Sequence, residues 1–259
     1  MKVLFLGDIV GKTGRNIIRR ELAEIKNYYH CDFVVGNVEN LADGFGITEA
    51  LYEELEYMGL QIMTSGNHIW DRKEILEYID RLPNLIRPAN YPNKVPGAGL
   101  KLYEHGKIKI AVINLMGRVF MPIVECPFRT FDKLFKILNG YCIIVDFHGE
   151  ATSEKNAFCH YVDGRAAAVI GTHTHVQTND DRCFPKGTYY ISDVGMCGSL
   201  DSVIGMEKDS SIGRFLTSIP VKFTVEKNGR KVINAVLFNI DEVDNRITVF
   251  SKIKKIYEK

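Results

Sequence analysis

The chain has 259 residues, 33 basic against 32 acidic for a net charge of +1, with 46% hydrophobic and 25% charged side chains. That length can bury a full core, and the near-neutral balance removes any bulk pull toward nucleic acid or a membrane surface. No apolar run approaches the ~20 residues of a membrane span, the first residues lack the apolar length and cleavage site of a signal peptide, and the six scattered cysteines include no C-x-x-C pair, so the expected setting is the cytoplasm with reduced thiols.

Residues 2–6 read as a buried strand ended by Gly7-Asp8. Residues 11–15 read as a loop, and residues 16–29 carry helical periodicity through Ile17, Ile18, Leu22 and Ile25. Gly11-Lys12-Thr13 looks like the end of a phosphate-binding loop, but the first glycine of that motif would fall on Leu6, so the motif is incomplete. Residues 32–37 form the second strand, with Val38-Glu39-Asn40 leaving its end, then a glycine-rich stretch, then a helix over 48–58. A third strand, 60–64, leads into Ser65-Gly66-Asn67-His68-Ile69-Trp70-Asp71. This stretch reads as a strand-to-helix turn, with Asp71 capping a helix over 72–79. Alternating strands and helices predict a sheet with helices on its faces, and ligands bind at the carboxyl ends of such strands.

Residues 83–99 are rich in proline and glycine and read as a surface connection. Residues 100–103 and 108–113 predict a hairpin, which makes His105 a solvated turn residue. An apolar loop at 116–127 precedes a helix over 131–138. The strand 141–147 delivers His148, and the next helix, 153–161, carries His160 on its face without a companion donor. The strand 166–170 delivers Gly171-Thr172-His173-Thr174-His175. A strand at 189–192 and a Gly- and Met-rich loop at 193–209 follow. Residues 221–226 and 232–240 predict a closing hairpin around Lys227-Asn228-Gly229, with a last strand at 247–250. No linker or repeat interrupts the chain, which reads as one domain over 1–259.

Asp8, Glu39, Asn40, Asn67, His68, His148, His173 and His175 therefore all fall at predicted strand ends. Taken alone, His173 and His175 could be two alternating residues of a strand end. With the matching acids, amides and His148, the set exceeds the four ligands of a single tetrahedral ion. Mixed imidazole, carboxylate and amide donors suit two transition-metal ions roughly 3.5–4 Å apart.

The order Gly7-Asp8, Asn37-Val38-Glu39-Asn40, Gly66-Asn67-His68, Arg87-Pro88-Ala89-Asn90, His148-Gly149-Glu150 and Gly171-Thr172-His173-Thr174-His175 resembles the calcineurin-like metallophosphoesterase superfamily. The resemblance is closer to its YmdB-like branch, over essentially the whole chain. It implies an α/β fold, an αββα sandwich of two mixed sheets flanked by helices, with a dinuclear metal site at the strand ends. It implies Glu39 as the bridging ligand, Asp8, Asn40 and His175 around one ion, and Asn67, His148 and His173 around the other. His68 would bind no metal and act as general acid. The implied activity is a phosphodiesterase on 2′,3′-cyclic nucleotides, with iron or manganese as the ions, zinc as the alternative, and a homo-oligomeric assembly. The substrate class is a small phosphodiester, with neither membrane nor extended nucleic acid as partner.

Two departures from the superfamily stand out. Its usual Asp-x-His is Asp8-Ile9-Val10 here, and its bridging Asp is Glu39, one methylene longer. Asn40 is best placed to compensate. The expected chemistry is a metal-bridging hydroxide, formed as two cations lower the pKa of a shared water from roughly 16, attacking phosphorus while His68 protonates the leaving oxygen. A phosphomonoesterase or a nuclease could use the same ions. A regulatory scaffold could retain them and work through the surfaces at 116–127 and 193–209, though a non-ligand His68 would then have no use.

Overall fold

The computed structural model describes residues 1–258. In chain order its strands are β1 (Lys2–Leu6), β2 (Asp8–Ile9), β3 (Phe33–Asn37), β4 (Ile62–Thr64), β5 (Leu100–His105), β6 (Ile108–Met116), β7 (Cys142–His148), β8 (Ala168–Thr172), β9 (Arg182–Cys183), β10 (Tyr189–Ile191), β11 (Met196–Ser199), β12 (Lys231–Ile240) and β13 (Ile247–Tyr257). The α-helices are α1 (Gly11–Tyr29), α2 (Glu49–Tyr57), α3 (Ile75–Tyr78), α4 (Pro127–Phe135), α5 (Thr152–Val162) and α6 (Lys208–Thr217).

Strand β1 is apolar on both faces because its alternate side chains enter two cores. Leu4 and Leu6 pack with Ile17, Ile18, Leu22 and Ile25 of α1. Val3 and Phe5 pack with Ile110, Val112, Ile144 and Ile170 of a second sheet. The first sheet runs β2-β11-β12-β1-β3-β4 with β13 on β12, and the second runs β5-β6-β7-β8-β10-β9. Both are mixed: β1, β3 and β4 are parallel, as are β6, β7, β8 and β10, while β12 and β5 pair antiparallel. A third core lies outside the second sheet, under Phe131 of α4 and Phe158 of α5. Helix, sheet, sheet, helix is the expected αββα order. No described helix is long and apolar enough to cross a membrane.

Gly7 splits the first strand. A Cβ there would overlap the carbonyl oxygen of Gly195, so only glycine allows β2 to leave β1 and pair with β11. That break carries Asp8 away from the β12 ladder.

Several expected boundaries move. The predicted loop at 11–15 is the start of α1, because Gly14 fits against β11: a Cβ there would overlap the Cys197 carbonyl. Asp71 caps no α-helix. Residues Asn67–Trp70 form a 3-10 turn, and α3 begins only at Ile75 with Glu74 as its N-cap. Helix α4 starts earlier than expected, with Pro127 in its first turn, where a missing N–H costs nothing. The predicted hairpin of 221–226 with 232–240 does not form. One edge of β12 is taken in turn by β11 and β1 and the other by β13, so no edge is left for 221–226. Only Val225 makes a bridge, to Met206. The predicted loop at 193–209 contains β11 and the start of α6.

Candidate metal centre

All eight residues singled out above lie at one end of the sandwich, contributed by both sheets. Asp8 lies on β2, Glu39 and Asn40 follow β3, and Asn67 and His68 follow β4. His148 ends β7, and His173 and His175 follow β8.

Glu39 and His148 meet across the two sheets, with Oε1 3.0 Å from Nε2. The same Nε2 lies 3.0 Å from Asn67 Oδ1 and 3.1 Å from His173 Nδ1. Ligand atoms of Glu39, His148 and His173 all fall within 4.8 Å of one another. Glu39 Oε2 accepts the His68 N–H at 3.0 Å. A little apart, His175 Nε2 stands 3.3 Å from Asn40 Oδ1. Asp8 Oδ2 accepts the His173 N–H at 3.2 Å, while its buried Oδ1 has no partner.

The outer partners of these side chains fix where the protons are. Thr172 spends its one hydroxyl proton on Asp146 Oδ1, 2.6 Å away, so His148 Nδ1, at 2.9 Å, must donate to that hydroxyl. His175 Nδ1 donates to the Ile204 carbonyl at 2.8 Å. His173 Nε2 faces the Glu150 carboxylate at 3.2 Å and donates to it. Asn40 Nδ2 donates to the Gly44 carbonyl at 2.8 Å, which turns Oδ1 inward. Three imidazole lone pairs, two amide oxygens and two carboxylates therefore converge, acceptor facing acceptor. Such contacts repel unless a cation or a proton lies between them. Metal-binding histidines hold their second nitrogen in this way, by donating it to a carboxylate, carbonyl or hydroxyl. The donor set thus fits cations.

Without a cation, one proton takes its place. Burial pushes the His148 imidazole down, but the Glu39 carboxylate outweighs it and raises the pKa to about 9. Burial works to raise Glu39, and the charge on His148 brings it to about 2. Burial and the charge on His148 lower His173 to about 3, and burial lowers His175. Asp8 is held well above the usual carboxylate range by burial and by the carboxylates of Asp193 and Glu39, against the pull of His148.

His68 stands outside this cluster. Its Nδ1 lies 2.8 Å from Asp71 Oδ2, and its ring meets Phe45 edge-on at 4.9 Å. Asp71 thus holds an imidazole instead of capping a helix. Gly66 lets the turn approach: a Cβ there would overlap the His148 ring and Glu39 Oε2.

Sequence reasoning missed the residues that support the donors. Lys155, fully buried, donates to the Thr172 carbonyl at 2.8 Å and to Asp193 Oδ2 at 3.1 Å. The same Asp193 oxygen accepts the Thr174 N–H at 2.9 Å. This clamp holds the 172–175 loop, where His173 and His175 adopt φ of 102° and 67°, a region costly for non-glycine residues. The signal was present: Lys155 shares the buried face of α5 with Phe158, Cys159 and Val162, spaced as one helical stripe.

Comparison with known proteins agrees with the sequence resemblance. The model of the YmdB-like protein family matches residues 4–254. A "2′,3′-cyclic-nucleotide 2′-phosphodiesterase" of Bacillus subtilis (strain 168) is 45% identical over 255 residues, 98% of this chain and 96% of that protein. The crystal structure of a "novel phosphatase" of Mycoplasma pneumoniae superposes with a TM-score of 0.94 at 38% identity, covering 100% of this chain and 94% of the other. The calcineurin-like phosphoesterase YfkN of Bacillus subtilis shares the fold at 11% identity and a TM-score of 0.56, covering 100% of this chain and 90% of the other.

Two outcomes follow from the electrostatics. Lys155→Met leaves the buried Asp193 carboxylate unpaired and should cost about 3–5 kcal/mol of stability in denaturant unfolding; a loss under about 1 kcal/mol would refute the clamp. In chelator-treated protein, His148 has a folded pKa raised from 6.5 to about 9. Its contribution to stability is complete below pH 6.5 and is lost as pH rises through 9. Cation and proton compete for Nε2, so the gain in melting temperature on adding Mn²⁺ should grow over the same window. A gain that shrinks with rising pH contradicts the competition.

Proposed function

We propose, on the premise that the chain belongs to the YmdB-like family, that it is a metal-dependent phosphodiesterase opening 2′,3′-cyclic nucleotides to monoesters. The coarser class, a hydrolase of phosphoric esters, is the class of its relatives. The observation that carries the reading is the convergence of inward lone pairs at the sheet ends. Glu39 would hold both ions. Asp8, Asn40 and His175 would complete one site, and Asn67, His148 and His173 the other. The separate contact distances, His148 with Asn67 and His173, and His175 with Asn40, support this division. The mixed nitrogen and oxygen donors suit iron or manganese. When bound, the two ions would lower the pKa of water and neutralise charge on the phosphoryl oxygens.

The chain's own groups would do the rest. Asp71 keeps a proton on His68 Nδ1 and orients the ring. Protonated His68 then delivers its second proton to the ribose oxygen that leaves as the phosphorus–oxygen bond breaks and water's oxygen bonds to phosphorus; the proton that water gives up passes to solvent, from which His68 is reprotonated. Imidazole is the side chain most often used for such proton transfer. The leaving hydroxyl stays tethered to the product, so modest acid assistance suffices.

A phosphomonoesterase on the same centre is the second reading, favoured by the phosphatase relative. Specificity constants in Mn²⁺ separate the two. kcat/KM should be highest on a 2′,3′-cyclic nucleotide, below that on a 3′,5′-cyclic nucleotide, and lowest on a nucleoside monophosphate. His68→Ala should lower it by roughly 10²–10⁴-fold with metal content retained. Fastest turnover of the monophosphate would falsify the diesterase assignment, and metal loss in His68→Ala as severe as in His173→Ala would overturn the division of roles.

A further inference from the structure

The cleft changes character beyond the donor centre. From Asn40, His68, His173 and His175 it continues, over a volume of about 330 Å³, along Phe45, Met206, Phe215 and Phe223. These apolar side chains come from three separate segments: the loop after β3, the loop before α6, and α6 with the segment that follows it. Phe215 is 82% exposed, although it lines the cleft. Phe223 is covered by the Arg214 guanidinium, 5.0 Å from its ring centre. Ser211, the polar residue that α6 adds to the lining, is buried and spends its hydroxyl proton on the Glu207 carbonyl at 2.8 Å. A phosphate held at the donor centre would thus have an aromatic wall on its flank, poor in free hydrogen-bonding groups.

We propose that this apolar half is a base-stacking subsite, in which the planar heterocycle of the nucleotide lies on the wall formed by Phe215, Phe45 and Phe223. The inference rests on the cyclic-phosphodiesterase reading above and adds the part of the substrate that reading leaves open. The wall shares one cleft with the donor centre, so a molecule anchored there by its phosphate brings its remaining atoms to the wall. An exposed phenylalanine beside a charged centre suits an amphiphilic ligand with a flat apolar face. Stacking uses ring faces, which all bases have, while a polar lining would read their edges. The subsite therefore favours nucleotides over base-free cyclic phosphates and discriminates little among the bases.

The test compares three substrates with Mn²⁺-loaded enzyme: 2′,3′-cyclic AMP, 2′,3′-cyclic CMP, and glycerol 1,2-cyclic phosphate, which has the five-membered cyclic diester without a base. The two nucleotides should agree within about tenfold, and both should exceed the glycerol compound by at least roughly tenfold in kcat/KM. Phe215→Ala should lower kcat/KM on the nucleotides by about tenfold, mainly through KM, and on the glycerol compound by a much smaller factor. Phe215→Trp, which keeps a stacking face, should restore the nucleotide preference. Equal turnover of all three substrates by the wild type sinks the subsite and leaves the diesterase reading standing. An equal loss on all substrates in Phe215→Ala, or a change of oligomeric state by light scattering that accounts for the loss, also overturns it. Turnover of none of the three removes the underlying reading and the subsite together.

Discussion

The contact between Glu39 and His148 is the constraint on which the rest of the site depends. One comes from the end of β3 in the first sheet and the other from the end of β7 in the second, and both are buried to within 1%. Burying a carboxylate against an imidazole is expensive unless each is paired and hydrogen-bonded. Here the pairing spans the sandwich, so the two sheets must meet at a fixed distance and twist. The cores that set that distance, with Phe5 and Phe33 against Ile110 and Ile144, are therefore also what tunes the centre.

Asp146 is the hub behind the contact. Asn37 joins it from the first sheet at 3.1 Å, and Thr172 donates to it from β8. Burial pushes its carboxyl up to about 6, against the charge on His148 and the hydrogen bonds from Thr172 and Asn37. The chain Asp146–Thr172–His148 transmits that orientation to the imidazole and aims Nε2 at Glu39. The 172–175 loop is held from the other side by Lys155 and Asp193, and by Asp8, which receives the His173 N–H. Strain at His173 and His175 is thus stored between two buried charge clusters, which fits a site that must hold its donors in place before any ion arrives.

Much of this was legible in the sequence, because strand ends in parallel sheets converge by topology. Reading Glu39, Asn67, His148 and His173 as strand-end residues was enough to bring them to one edge, whereas the division into two sheets came from the family resemblance and not from the apolar runs. What the sequence hid was governed by close approach and by competition for edges. Gly11 and Gly14 looked like a loop because small residues signal turns, yet Gly14 is small so that α1 can touch β11, and Gly11 takes a positive φ against the Val225 side chain. Residues 221–226 alternate like a strand, but β12 had no edge to give them. Asp71 looked like a cap because caps and imidazole partners use the same side chain. Lys155 and Asp193 lie far apart in sequence, and nothing local announces their pairing.

The central claim is that these inward lone pairs are held for two cations. The most direct measurement is elemental analysis of protein reconstituted with Mn²⁺ or Fe²⁺ and then desalted, beside Glu39→Ala treated in the same way. About two equivalents per chain are expected in the native protein and almost none in the variant, because one carboxylate would serve both ions. A native value near zero, or a variant that retains both ions, would contradict the claim.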